Sequence, residues 1–130
     1  MSTSKISIMV VSGSLERLQM AAMVASVGAV SGNEVSVFLS MNALQHFLKG
    51  GASQAPAEGP FGELMSGKNV PEFKGLFRNA VELGDARIFP CSMAMDVLDA
   101  AAEDLEPYLS EPLGLTKFLI DAADSQIWTF

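Results

Sequence analysis

Apolar and polar positions alternate with two different periods along the chain, and the changes of period mark its elements. Lys5-Ile6-Ser7-Ile8-Met9-Val10-Val11 is almost continuously apolar and β-branched after Ser7, the pattern of a strand covered on both faces. From Leu15 to Ser31 the period becomes helical, with Leu18, Ala22, Ala25 and Ala29 on one face. Met20, Met23, Val24 and Val27 make the adjacent face apolar as well. A helix this greasy has more apolar surface than one sheet covers, so a contact with another subunit is expected, and with it a homo-oligomer. Gly32-Asn33 closes the helix, and Glu34 to Ser40 supplies a second strand. Strand, helix, strand at this spacing predicts a parallel pair with a right-handed crossover.

Met41 to Lys49 reads as a short helix with Ala43, Leu44, Phe47 and Leu48 on one side. Gly50 to Val70 carries five Gly and two Pro and reads as irregular, either a lid whose Phe61, Leu64 and Met65 shield a site or a plain linker. Pro71 to Leu83 is predicted helical, with Gly84 as its stop. Ala86 to Phe89 is a strand ended by Pro90, and a helix is expected from Ser92 to about Ala102. Asp104 to Leu109 reads as a short edge strand, Pro112 to Ala122 as a helix, and Ser125 to Phe130 as a terminal strand. These elements predict an α/β three-layer sandwich of flavodoxin-like or Rossmann-like topology. Its sheet is mostly parallel with about five strands, and residues 1–130 form one domain.

Composition narrows the class. A hydrophobic share of 49% with 18% charged residues excludes a disordered chain. The longest apolar run, Met20 to Val30, is broken by Ser26 and Gly28 and is too short to span a bilayer, so no stable membrane insertion is expected. The basic-then-apolar opening of a signal peptide is not seen, and a single cysteine forms no internal disulfide, so a cytoplasmic location is expected. Fifteen acidic against eight basic residues give a net charge of −7. That charge disfavours nucleic acid and anionic membranes and points to basic or apolar protein partners.

The candidate chemistry centres on Cys91. A strand that ends at Pro90 delivers the thiol to the mouth of the next helix, beside amide N–H groups and the positive end of the helix dipole, which favour the thiolate. The alternative is a cysteine packed as a small hydrophobe. In parallel sheets ligands bind beyond the carboxyl ends of the strands, where Ser12-Gly13-Ser14 and Ser40 to Asn42 are expected to converge with Cys91. Ser14 is a candidate N-cap, but neither G-x-G-x-x-G nor G-x-x-x-x-G-K-[ST] is present and nucleotide binding is not expected. His46, the one histidine, makes no metal site with Cys91 alone and reads as a surface or helix-face residue. No metal and no cofactor are called for.

Pro90 to Leu98, with Cys91-Ser92-Met93-Ala94-Met95-Asp96-Val97 at its centre, resembles the cysteine motif of the DsrE/DsrF-like sulfur-relay family, in particular its DsrE2-like branch. Leu98 stands where that branch usually has Met. The first strand, Ser12-Gly13-Ser14-Leu15 and the Ala/Met-rich helix are similar to the family's first unit, and Asn33 to Ser40 to its second strand. The resemblance implies a soluble sulfur carrier or sulfurtransferase that holds sulfane sulfur on Cys91. Ser12, Gly13, Ser14, Ser92 and Met93 would line the substrate, Asp96 would orient the helix, and partners would be small sulfur-carrier or rhodanese-like proteins. A non-catalytic assembly subunit is the alternative. A thiol peroxidase is disfavoured because Ile88 stands where such an enzyme needs Thr.

Overall fold

The computed structural model describes residues 4–50 and 54–130. Four strands among them form one parallel sheet: β1 (Lys5–Val10), β2 (Glu34–Leu39), β3 (Arg87–Pro90) and β4 (Gln126–Thr129), in the order β3-β2-β1-β4. The register pairs Ile8 with Val37 and Trp128, and Val37 with Ile88. Alternation along each strand then sorts the sheet's two faces. Ile6 and Val35 pack beneath Gly28 of α1 (Leu15–Val30), and α4 (Phe73–Gly84) packs beside α1 on the same face. Phe38 faces the other way and stacks on Phe118 of α6 (Leu115–Asp121), with ring centroids 5.0 Å apart.

The ends of α1 and α4 have different causes. Past α1, Gly32 takes φ +98°, its N–H donates to Ala29 O, and the Asn33 N–H donates to Gly28 O. This is the paired closure that a left-handed residue after a helix permits. At α4 the left-handed residue is Asp85, φ +57°, and not the predicted Gly84. Gly84 is required for another reason: a Cβ there would lie 2.5 Å from Ala29 Cβ, so the glycine lets α4 touch α1.

The sheet is one strand narrower than expected. Ala102–Asp104 is a 3-10 turn, and Leu105 makes a single antiparallel bridge to Leu48. The strip beside β3 is instead formed by Ser110 and Leu113, whose N–H groups donate to Ile88 O (2.7 Å) and Pro90 O (3.0 Å). Pro112 has no N–H to give, so the ladder does not continue into a full strand. Because Leu113 is held there, α6 begins at Leu115 and not at Pro112. The stretch read as irregular contains a short helix, α3 (Pro60–Ser66); positions 51–53 of that stretch lie outside the described residues. The helix after Cys91, α5 (Ser92–Val97), is shorter than predicted because Asp99 turns left-handed at φ +52°.

Candidate functional site

Cys91 lies at the carboxyl end of β3 and is the N-cap residue of α5. Its N–H continues the ladder to Leu39 O (2.8 Å), and its C=O accepts the first helical bond, from Met95 N–H (3.0 Å). The Ser92 N–H, expected to be open, donates to Leu113 O at 2.9 Å. The Met93 and Ala94 N–H groups follow in the first turn, and no cap side chain bonds to them. Cys91 is only 4% exposed, within the core cluster, and its backbone pairs in parallel with that of Leu113. Leu113 is the lateral backbone neighbour of Cys91, whereas Phe61 and Leu64 of α3 point into solvent at 69% and 62% exposure.

Around this thiol, Ser92, Met93 and Asp96 are exposed on the outer side of α5, while Ala94 and Met95 are buried. Ser40 follows the Leu39–Pro90 register pair and stands level with Cys91 on the neighbouring strand, about 4.8 Å away. It is buried, and as N-cap residue of α2 (Met41–Leu44) its hydroxyl makes no capping bond. Sequence reasoning placed Ser40 on this edge, and the register makes it the nearest polar neighbour on β2.

Ser12, Gly13 and Ser14 share that edge but sit beyond β1, with β2 between them and Cys91, about 10 Å away by strand spacing. Their groups are already engaged. The Ser14 N–H donates to Ser12 Oγ (3.1 Å), the Ser12 hydroxyl to Ser14 Oγ (3.2 Å), and the Ser14 hydroxyl to Glu58 Oε1 (3.1 Å). Ser14 therefore occupies the N-cap position of α1 without capping it by its side chain. Gly13 is a packing requirement, since a Cβ there would stand 3.0 Å from Asn42 Cβ and Asn42 O, and 3.2 Å from His46 Nε2. His46 is buried, its ring edge-on to Phe73 at 6.2 Å.

Glu16 was not anticipated as a site-forming residue. Its carboxylate accepts the Glu58 N–H (2.7 Å), the Gly59 N–H (2.8 Å) and the Gly62 N–H (3.1 Å), which ties the start of α3 to the start of α1. Arg17 adds an ion pair to Glu58 at 2.8 Å. The bond from the Glu58 N–H is the main reason that the Glu16 carboxyl sits below its ordinary value of 4.5. A depressed folded value means that the anchor is in place above pH 4.5 and is lost as the pH falls through the folded value. Hydrogen exchange at the Glu58, Gly59 and Gly62 amides is therefore expected to accelerate in acid while core amides stay protected, and Glu16→Gln is expected to remove that pH dependence. Equal protection of the three amides in Glu16→Gln and wild type would contradict the assignment.

A cleft of about 730 Å³ opens at the amino ends of the strands, lined by Lys5, Glu34, Arg87 and Lys117. It lies at the other end of the sheet from the thiol. Among the described residues no group of three or more His, Cys, Asp or Glu is placed to hold a metal ion.

The family model of the DsrE/DsrF/DrsH-like proteins matches residues 57–130, which include β3, Cys91 and all of α5. The chain belongs to the DsrE/DsrF/DrsH-like family. Two solved structures share the DsrE-like fold over nearly the whole chain. One is the ychN protein from E. coli, with TM-score 0.64 and 16% identity, covering 99% of this chain and 100% of that one. The other is MTH1491 from Methanobacterium thermoautotrophicum, a protein of unknown function, with TM-score 0.63 and 8% identity, covering 98% of this chain and 99% of that one. No curated protein matches the chain. Among the described residues of this DsrE-like domain, no helix is long and apolar enough to cross a membrane.

Proposed function

We propose that this DsrE-like protein is a sulfur carrier that holds sulfane sulfur on Cys91. The observation that carries the reading is the place of the thiol. Within the segment matched by the family model, Cys91 stands at a strand-to-helix junction, buried, with no side-chain cap bond from it to the Met93 and Ala94 N–H groups. In the step proposed, the Cys91 thiolate attacks the outer sulfur of a donor persulfide. The donor's S–S bond breaks, the donor leaves as a thiolate, and Cys91 becomes a persulfide; an acceptor thiolate then takes the outer sulfur and returns Cys91 to its starting state. Sulfur is relayed with no net oxidation or reduction, so neither metal nor cofactor is invoked. Ser12, Gly13 and Ser14 serve the site by holding α1 and the segment around Glu58, and Ser92 and Met93 form its exposed rim. Asp96 acts through the orientation of α5.

Burial makes access the controlling step. Cys91 is buried, so a local opening has to precede the approach of a partner thiol, and the 110–113 strip paired beside it is the segment proposed to open. The partners that suit an acidic chain are small thiol-bearing sulfur-carrier or rhodanese-like proteins with basic or apolar docking faces. Self-association is also proposed, because Met20, Met23, Val27 and Val30 form an exposed apolar stripe on the side of α1 away from the sheet.

Intact-mass analysis after incubation with polysulfide, with thiosulfate and with a persulfidated donor protein tests the carrier reading. The expected result is a gain of one or more sulfur atoms that is reversed by reductant. A native chain that gains no mass from any of the three donors, while the denatured chain does, would leave Cys91 as a packing residue and the protein as an assembly subunit.

A further inference from the structure

Four serines stand at the carboxyl edge of the sheet, and three of them are accounted for. Ser12 and Ser14 bond to each other, Ser14 bonds to Glu58, and Ser92 faces solvent on the outer side of α5. Ser40 differs from these. It is 4% exposed, it occupies the N-cap position of α2 without capping it, and among the described residues its hydroxyl has no hydrogen-bond partner. A buried hydroxyl without a partner is destabilising, and a second state of the site that uses it is a physical reason for one to persist.

The ladder fixes what surrounds Ser40. Its N–H donates to Val10 O (3.0 Å) and the Cys91 N–H donates to Leu39 O (2.8 Å), so the strands keep their register past the Val10–Leu39 and Leu39–Pro90 pairs. Successive side chains of a strand point to opposite faces. Ser40 and Cys91 therefore share the face of Phe38 and Phe89, the pair two positions before them. The row across this level reads Val11, Ser40, Cys91 and Leu113. Cys91 is the one neighbour in that row whose side chain accepts a hydrogen bond. The empty thiol makes none with Ser40. A second sulfur extends the Cys91 side chain by about 2 Å, against a strand separation of about 4.8 Å.

We propose that the Ser40 hydroxyl is the hydrogen-bond donor to the outer sulfur of loaded Cys91. The inference rests on the carrier reading and adds to it the group that holds the cargo. The outer sulfur of a persulfide is ionised near neutral pH, and a hydrogen bond to a charged acceptor is roughly twice as strong as one between neutral groups. Ser40 and Cys91 are both buried, so little water competes for that bond. The hydroxyl is unpaired while Cys91 is empty and paired once sulfur is in place, and this difference favours loading. Ser40 donates a hydrogen bond and keeps its proton, so no bond forms or breaks beyond the two sulfur transfers already described.

Sulfur exchange with N-acetylcysteine persulfide, read by intact mass at fixed ratios of N-acetylcysteine to its persulfide, tests the assignment. It measures an equilibrium, so the rate at which the buried site opens does not enter. Ser40→Ala is expected to lower the equilibrium constant for loading about tenfold or more, and Ser40→Thr, which keeps the hydroxyl, to stay within about threefold of wild type. Ser40→Gly, which an N-cap position tolerates, should load as poorly as Ser40→Ala. Alkylation of the empty thiol by iodoacetamide should match wild type within about twofold in all three variants, because the donor acts on the outer sulfur. The melting temperature of Ser40→Ala should be no lower than that of wild type, since no capping bond is lost and an unpaired hydroxyl is removed. Equal loading of wild type and Ser40→Ala overturns the donor assignment and leaves the carrier reading standing, whereas a wild type that takes no sulfur overturns both. Equal losses in Ser40→Ala and Ser40→Thr, or weaker loading that comes with a lower melting temperature, would make Ser40 a packing residue and overturn the assignment.

Discussion

Cys91→Ser is expected to abolish sulfur loading completely and to leave the fold intact. The chemical half of the expectation rests on nucleophilicity: a serine hydroxyl is a far weaker nucleophile near neutral pH and forms no persulfide, and no second cysteine exists to replace it. The structural half rests on the position of Cys91 as N-cap residue of α5. Burying a hydroxyl without a partner costs about 1–3 kcal/mol. Serine, however, is among the best N-cap residues, and its oxygen accepts from the N–H of the second or third helical residue, a bond worth about 0.5–2 kcal/mol. Here those donors belong to Met93 and Ala94 and receive no cap bond in the wild type. The two effects nearly cancel, so the melting temperature of the variant should lie within a few degrees of wild type. Mass spectrometry after exposure to donor should show no added sulfur, and circular dichroism should be unchanged. Sulfane transfer that persists in Cys91→Ser would place the chemistry elsewhere and make this chain a scaffold.

The parts of the structure legible in the sequence are those whose signal is local and repeated. β1 and α1 carry uninterrupted patterns over many residues, so Lys5–Val10 and Leu15–Val30 appear where the periods put them. α3 was missed because its apolar Phe61 and Leu64 point into solvent and Gly62, with Gly59 and Gly67 at its two ends, mimics a loop. Only Pro60, a common first helical residue, signals it. The expected strand at Asp104 to Leu109 failed because alternation alone does not reveal that Pro107 and Pro112 starve a ladder of donors.

The site was legible in part for the same reason. Cys91 at a strand-to-helix junction follows from Pro90 and the helical stretch behind it. Its pairing with Leu113 does not, because that bridge joins residues 22 positions apart. Nothing local distinguishes Glu16 from an ordinary acidic residue in a first helical turn; its partners lie 42 to 46 positions away. Gly13 and Gly84 were read as turn and stop, whereas contacts with Asn42 and Ala29 fix them. Sequence spacing carries no record of such approaches.

Phe118 ties the helix that follows the 110–113 strip to the core. Phe118 is 2% exposed and stacks on Phe38, so it pins α6 to the face of the sheet opposite α1 and α4. Removing a buried Phe side chain costs about 3–5 kcal/mol, transfer and cavity together, a large share of the 5–15 kcal/mol that holds a typical domain folded. Phe118→Ala is therefore expected to lower the melting temperature by roughly 10–20 °C. Gly114 joins the start of α6 to Leu113, which accepts from the Ser92 N–H and bridges to the Cys91 backbone. Loosening α6 should free that strip first, so Cys91 in Phe118→Ala should label several-fold faster than wild type at a temperature where both proteins remain folded. Phe118→Leu, which keeps most of the buried volume, should fall between the two in both measurements. A variant that melts lower but labels at the wild-type rate would show that α6 does not hold the strip beside Cys91. A variant that melts within a degree of wild type would remove Phe118 from the core altogether.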